Sequence, residues 1–208
     1  MAMLRIVVFL LCWSVAVSAF AQGLMPLSGG EGSASTTSGW ESQQNWTTAQ
    51  DLEGRFSISI PAPAWSQRVD SVPTPLGTLA YHSFYYQPPF EESAENAVYS
   101  LSYVDYPEFS LHQDSSELVQ EFLLATREAA VERMKGELRF AAERILQFKY
   151  PGSYWRIDYL QGQASVRTQA FVVGRRYYAL QTISTAEGGL NHSTDRFFDS
   201  FAVFSPPK

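Results

Sequence analysis

Phe171-Val172-Val173-Gly174-Arg175-Arg176-Tyr177-Tyr178-Ala179-Leu180 sets two runs of apolar and aromatic residues on either side of one glycine. β-Branched and aromatic residues favour strands, and a glycine between two such runs suits a tight hairpin. Working outward, residues 165–173 and 175–184 read as paired antiparallel strands. Gly162 and Gly152 punctuate the chain before them. They mark off two more strands, over 153–160 and 137–149. Connections this short leave no room for parallel crossovers.

Upstream, Phe56, Ile58 and Ile60 alternate with Ser57 and Ser59, the pattern of a strand with one buried face. Pro61 and Pro63 stop it, because proline cannot donate to a ladder. Pro73, Pro75 and Gly77 mark the next turn. Strands follow over 78–86 and 97–106, separated by a polar loop over 87–96. Asp114, with Glu117 three residues on, predicts a capped helix start. Leu118, Phe122, Ala125 and Ala129 build an apolar stripe on that helix. Gly136 stands where helices commonly end. A last helix is predicted near Ser193 or Thr194, with Phe197, Phe198 and Phe201 as its apolar face. The order is βββ-α-ββββ-α. It predicts an α+β fold with a largely antiparallel sheet of about seven strands. Tyr154, Trp155, Ile157 and Tyr159 occupy both faces of one strand, so helices are expected on both sides of the sheet.

Five segments in this order resemble the PsbP/Mog1-like superfamily and its bacterial periplasmic DcrB-like branch. They are Phe56-Ser57-Ile58-Ser59-Ile60-Pro61, Tyr103-Val104-Asp105-Tyr106-Pro107, Phe148-Lys149-Tyr150-Pro151-Gly152, the 171–180 stretch, and Phe197-Phe198-Asp199-Ser200-Phe201. The resemblance spans residues 51–208. It implies a Mog1/PsbP-like α/β/α sandwich and a non-enzymatic accessory or binding role. It carries over no functional residue.

The N-terminus reads as an export signal. Arg5 precedes an apolar run from Ile6 to Val17, and Ala19-Phe20-Ala21 offers the small residues of a cleavage site. The run is shorter than the roughly 20 residues a membrane span needs. Cleavage after Ala21 is expected, giving a periplasmic or secreted protein with no stable membrane insertion. Cys12, the chain's one cysteine, lies inside this signal, so no disulfide or thiolate metal site is expected in the mature chain. Residues 22–50 are rich in Gly, Ser, Thr and Gln and read as a flexible linker, with Trp40 and Trp46 as aromatics able to dock on the domain. One domain over 51–208 completes the chain.

The net charge of −6 disfavours nucleic acid or anionic lipid as partner. His82, His112 and His192 are far apart, with no metal-ligand spacing, and no nucleophile-elbow motif occurs. Glu91, Glu92 and Glu95 form the one dense carboxylate cluster. It reads as a solvated loop before a calcium site. The pairs Tyr85-Tyr86, Tyr154-Trp155 and Tyr177-Tyr178 read as sheet residues before a ligand-stacking groove. Tyr154, Arg156 and Asp158 share one strand face and form the candidate binding patch. No cofactor, catalytic residue or metal ligand is expected. The expected function is an exported envelope module that binds another envelope protein or a small ligand. The alternative is a periplasmic hydrolase. A cleft with a histidine in reach of a serine and a carboxylate would favour that alternative.

Overall fold

The computed structural model describes residues 46–89 and 94–204. Before the first helix come β1 (Thr47–Asp51), β2 (Phe56–Ile60), β3 (Ser66–Thr74), β4 (Gly77–Tyr86) and β5 (Val98–Asp105). The helix α1 (Ser116–Met134) leads into β6 (Glu137–Leu146), β7 (Tyr150–Tyr159), β8 (Ala164–Val173) and β9 (Arg176–Thr185). The chain closes with α2 (His192–Asp199) and β10 (Ala202–Val203). Seven strands form one sheet in the order β3-β4-β5-β9-β8-β7-β6. All its pairings are antiparallel. β1, β2 and β10 form a separate three-stranded sheet.

The alternation along β9 shows how the layers are made. Tyr177 and Ala179 point into a core with Val119, Phe122 and Ala130 of α1, closed by Trp155 and Ile157. Tyr178 and Leu180 point the other way, into a core with Phe197 and Phe198 of α2 and Phe56 and Ile58 of β2. The sheet is thus covered on both faces, as its two-sided apolar strands require. The second cover is a helix together with the small sheet. Phe197 and Phe198 are buried, and Phe201, just beyond α2, stacks on Phe171 with ring centroids 6.0 Å apart. Among the described residues no helix is long and apolar enough to cross a membrane.

Several local expectations need correction. Strand β1 falls within the stretch read as linker, and Trp46 meets Tyr99 edge-on at 6.0 Å. The folded domain therefore includes residues 46–50. Residues 1–45, with the expected signal and most of the linker, lie outside the described residues. Strand β3 gave no signal because it is a sheet edge, exposed over 66–69, whose half-buried positions Asp70, Val72 and Thr74 carry one apolar side chain between them. The α1 stripe is turned by about one residue. Val119, Phe122, Leu123, Thr126, Ala129 and Ala130 are buried, whereas Leu118 and Ala125 are only half-buried. Asp114 does not cap α1; Ser115 holds that place without a side-chain bond, and Asp114 pairs with His112 at 3.3 Å. Gly152 marks no turn. It lies inside β7, where a Cβ would come within 2.3 Å of the Ala170 carbonyl oxygen. The real β6–β7 turn is Gln147-Phe148-Lys149.

Candidate functional site

The strand order brings one end of the large sheet together with the β1–β2 turn. Strands β5, β8 and β6 end there, and β9 and β7 begin there. The β8–β9 turn is Gly174-Arg175. Gly174 has φ of +63°, a left-handed backbone that glycine adopts without strain. Its amide donates to Gln113 Oε1 at 2.6 Å, and its carbonyl accepts the Gln113 amide at 2.9 Å. The Arg175 carbonyl accepts the Tyr106 amide at 3.0 Å. The turn is fixed on both sides.

Beside it lies an open cleft of about 390 Å³. Arg55, Lys149, Arg175 and Arg176 line it, with Asp105 as the single carboxylate. Tyr150, Tyr178 and Phe204 complete its walls. Arg176 is spent on the scaffold. Its Nε and Nη2 grip both Asp105 oxygens at 2.8 and 2.6 Å, and Nη1 donates to the Glu53 carbonyl at 2.7 Å. It also lies 4.4 Å over the Tyr103 ring. Burial pushes the Asp105 carboxyl up, but Arg176, with Arg175 and Arg55 adding their charges, outweighs burial and holds it below the usual carboxylate range. Burial likewise works against the Arg176 charge, and Asp105 more than restores it, so that guanidinium titrates above its ordinary value. Arg55, Lys149 and Arg175 are exposed and make no ion pair among the described residues. The nearby Asp51 carboxylate is occupied by the Gly54 amide. Three uncommitted cations around a neutralised pair form a place for an anionic group. Guanidinium forks suit carboxylates and phosphates.

The patch expected at Tyr154, Arg156 and Asp158 falls into two neighbouring networks, one around Asp158 and one around Tyr154. Asp158 is bridged by Arg139 at 2.8 Å and Arg156 at 3.0 Å. Arg156 also donates to Ser165 Oγ at 2.9 Å. The Tyr154 hydroxyl accepts from Arg167, which in turn pairs with Asp195 of α2 at 2.7 Å. Phe198 covers the Tyr154 ring. Burial raises the Asp158 carboxyl, but hydrogen bonds from Arg139, Ser165 and Arg156 bring it below its ordinary value. Asp158 and Arg167 are buried, and Arg167 Nη1 is the one buried side-chain atom of these two residues without a hydrogen bond among the described residues.

The remaining candidates are scattered. His82 stacks on Tyr103 at 4.4 Å, His112 sits in the loop before α1, and His192 opens α2. Glu95 accepts the Ser193 amide at 2.8 Å, while Glu91 and Glu92 lie outside the described residues. Among the described residues no three His, Cys, Asp or Glu side chains are grouped to hold a metal ion. Tyr154, Trp155, Tyr177 and Tyr178 are buried, whereas Tyr85 and Tyr86 line a shallow groove with Trp65.

The solution structure of cyanobacterial PsbP (CyanoP) from Synechocystis sp. PCC 6803 superposes on this chain with a TM-score of 0.50. The fold is PsbP-like. The match covers 81% of this chain and 98% of that one at 13% sequence identity, so the likeness concerns the fold alone. No family model and no curated protein matches the chain. The PsbP-like frame accounts for the two covered faces of the sheet. The cleft side chains have to be read on their own chemistry.

The cleft residues were missed in the sequence because they come from positions 55, 105, 149 and 175–176. No local spacing joins them; strand pairing does. The one signal was Arg175-Arg176 directly after Gly174, two cations at a hairpin tip in an acidic chain.

Proposed function

We propose that this chain is a non-catalytic binding or accessory module, exported to the cell envelope, whose working surface is the basic cleft beside Gly174. The reading rests on one observation. Four cations line the cleft against one carboxylate, in a protein whose net charge is −6. Local charge opposed to the overall charge is a directional feature that solubility does not explain. Export and an envelope partner are supported by Arg5, the Ile6–Val17 run and Ala19-Phe20-Ala21. The resemblance to the DcrB-like branch points to the same compartment. A non-catalytic role is supported by the resemblance to the PsbP/Mog1-like superfamily.

Calorimetric titration with pentaglutamate tests the reading. Binding should be saturable and should weaken as ionic strength rises, since exposed charges are screened. The double variant Arg55→Glu, Arg175→Glu should lose it. Equal binding by the parent and the variant would remove the cleft from the account.

A further inference from the structure

Of the large hydrophobic side chains among the described residues, Phe148 and Phe109 are the most exposed, at 103% and 99%. Leu190, Leu52 and Ile145 follow, at 76%, 74% and 70%. Four of these five lie at the cleft end of the sheet. Leu52 is in the β1–β2 turn that supplies Arg55, Phe109 is in the loop after β5, and Ile145 and Phe148 are at the β6–β7 turn. Leu190 alone belongs to the opposite end, after β9.

Phe148 is held in this position. Gln147 and Phe148 have φ of +49° and +57°, and the turn is closed by a Lys149 amide to Leu146 carbonyl bond of 3.0 Å. A bulky side chain is rare in that backbone region, where glycine or asparagine serves better. The β7–β8 turn has the same backbone at Leu160 and Gln161, but Leu160 is less than half exposed there. Gln147 Oε1 accepts the Val203 amide at 3.2 Å, which ties the Phe148 turn to β10. The next two residues, Lys149 and Tyr150, are cleft wall. A turn that glycine would fit better thus presents a fully exposed ring beside a basic cleft.

We propose that this end of the sheet is a docking surface for an acidic polypeptide segment of another protein, with Phe148 as the anchor for an apolar side chain next to the segment's carboxylates. The proposal rests on the reading of the cleft as an anion site and names its ligand class. Charge complementarity supplies the acidic character. The exposed apolar ring supplies the second requirement, since exposed apolar clusters on soluble proteins mark interaction sites. In an extended ligand residues two apart share one face, about 6.6 Å from each other, so a central apolar side chain and the carboxylates two positions away can be offered to this surface together. A membrane surface fits less well. The cations line a concave cleft that includes the Asp105 carboxylate, and the whole chain is acidic.

The test uses two pentapeptides, each of four glutamates around a central leucine or a central glycine, titrated against the mature chain. The parent should bind the leucine peptide about tenfold more tightly. Phe148→Gly, which suits the left-handed turn and should melt no lower than the parent, should erase that preference and keep the glycine-peptide affinity. Phe148→Asn provides a second variant with the same expected result. Equal affinity of the parent for the two peptides, or a preference that survives both variants, overturns the anchor while leaving the cleft in place. No binding of either peptide overturns anchor and cleft together. Phe148-dependent binding to phosphatidylglycerol vesicles without peptide binding overturns the proposal in favour of a membrane contact.

Discussion

On the face of β7 that carries Tyr154 and Asp158, one network pairs Arg139 and Arg156 with Glu137 and Asp158, and a second pairs Arg167 with Asp195, three cations against three carboxylates. The cleft beside Gly174 gathers four cations against one. The β7 face draws its arginines from strands and the cleft draws three of its four cations from turns, and both contain a carboxyl group held below its ordinary range. They differ in balance and in cover. Phe198 of α2 lies over Tyr154 and Arg167 on the β7 face, whereas the cleft opens to solvent. Charges already paired with one another leave little for a ligand. Surplus charge at an open end has no structural partner to satisfy.

The sharpest way to break this contrast is to remove the cover. Phe198→Ala should cost about 3–5 kcal/mol, the range for aromatic truncation in a core, as measured by urea melts. A loss under about 1 kcal/mol would mean that α2 does not seal the Tyr154–Arg167 network. Asp158→Ala comes next. It strands Arg156 with Ser165 alone and should cost about 2 kcal/mol, less than a fully buried pair because Arg139 is half exposed. Stability unchanged by that substitution would place the Asp158 network on the surface in energetic terms.

A pH series sharpens the same comparison. Asp158 and Asp105 both have lowered pKa values in the fold. Each therefore stabilises the fold above the unfolded carboxylate pKa of about 3.9, and that contribution is lost as pH falls through the folded value. Melting temperature should drop as pH is lowered from about 5 toward 2, and Asp158→Asn should flatten the drop. An unchanged slope in that variant would assign the acid sensitivity elsewhere. The smallest expected effect on stability belongs to the cleft. Arg55→Glu with Arg175→Glu should move the urea midpoint by less than about 0.5 kcal/mol equivalent, because neither side chain makes an ion pair among the described residues. A larger loss would make these arginines structural, like those around Asp158.

The sequence revealed elements whose neighbours are buried. Phe56-Ser57-Ile58-Ser59-Ile60 alternates because one face of β2 meets the core, and the 171–180 hairpin is apolar on both faces because both are covered. Strands β1 and β3 stayed hidden because they are sheet edges whose half-buried positions are mostly polar, with Ala49 and Val72 the apolar exceptions. Gly152 was misread because a close approach and a turn demand the same residue. Tyr154, Arg156 and Asp158 were correctly placed on one face, but their partners Arg139, Arg167 and Asp195 come from β6, β8 and α2, beyond the reach of strand periodicity. The cleft was less legible still, since an interface made of turns has no period at all.

The central claim is that ligand binding resides in the unbalanced cluster and not in the balanced one. Backbone amide NMR during a pentaglutamate titration tests it most directly, because both regions are read in a single experiment. Saturable shifts are expected at Gly174, Arg175, Lys149 and Tyr150, with Tyr154, Arg156 and Asp158 unmoved. Shifts centred on Tyr154, Arg156 and Asp158, with Gly174 and Arg175 silent, would contradict it.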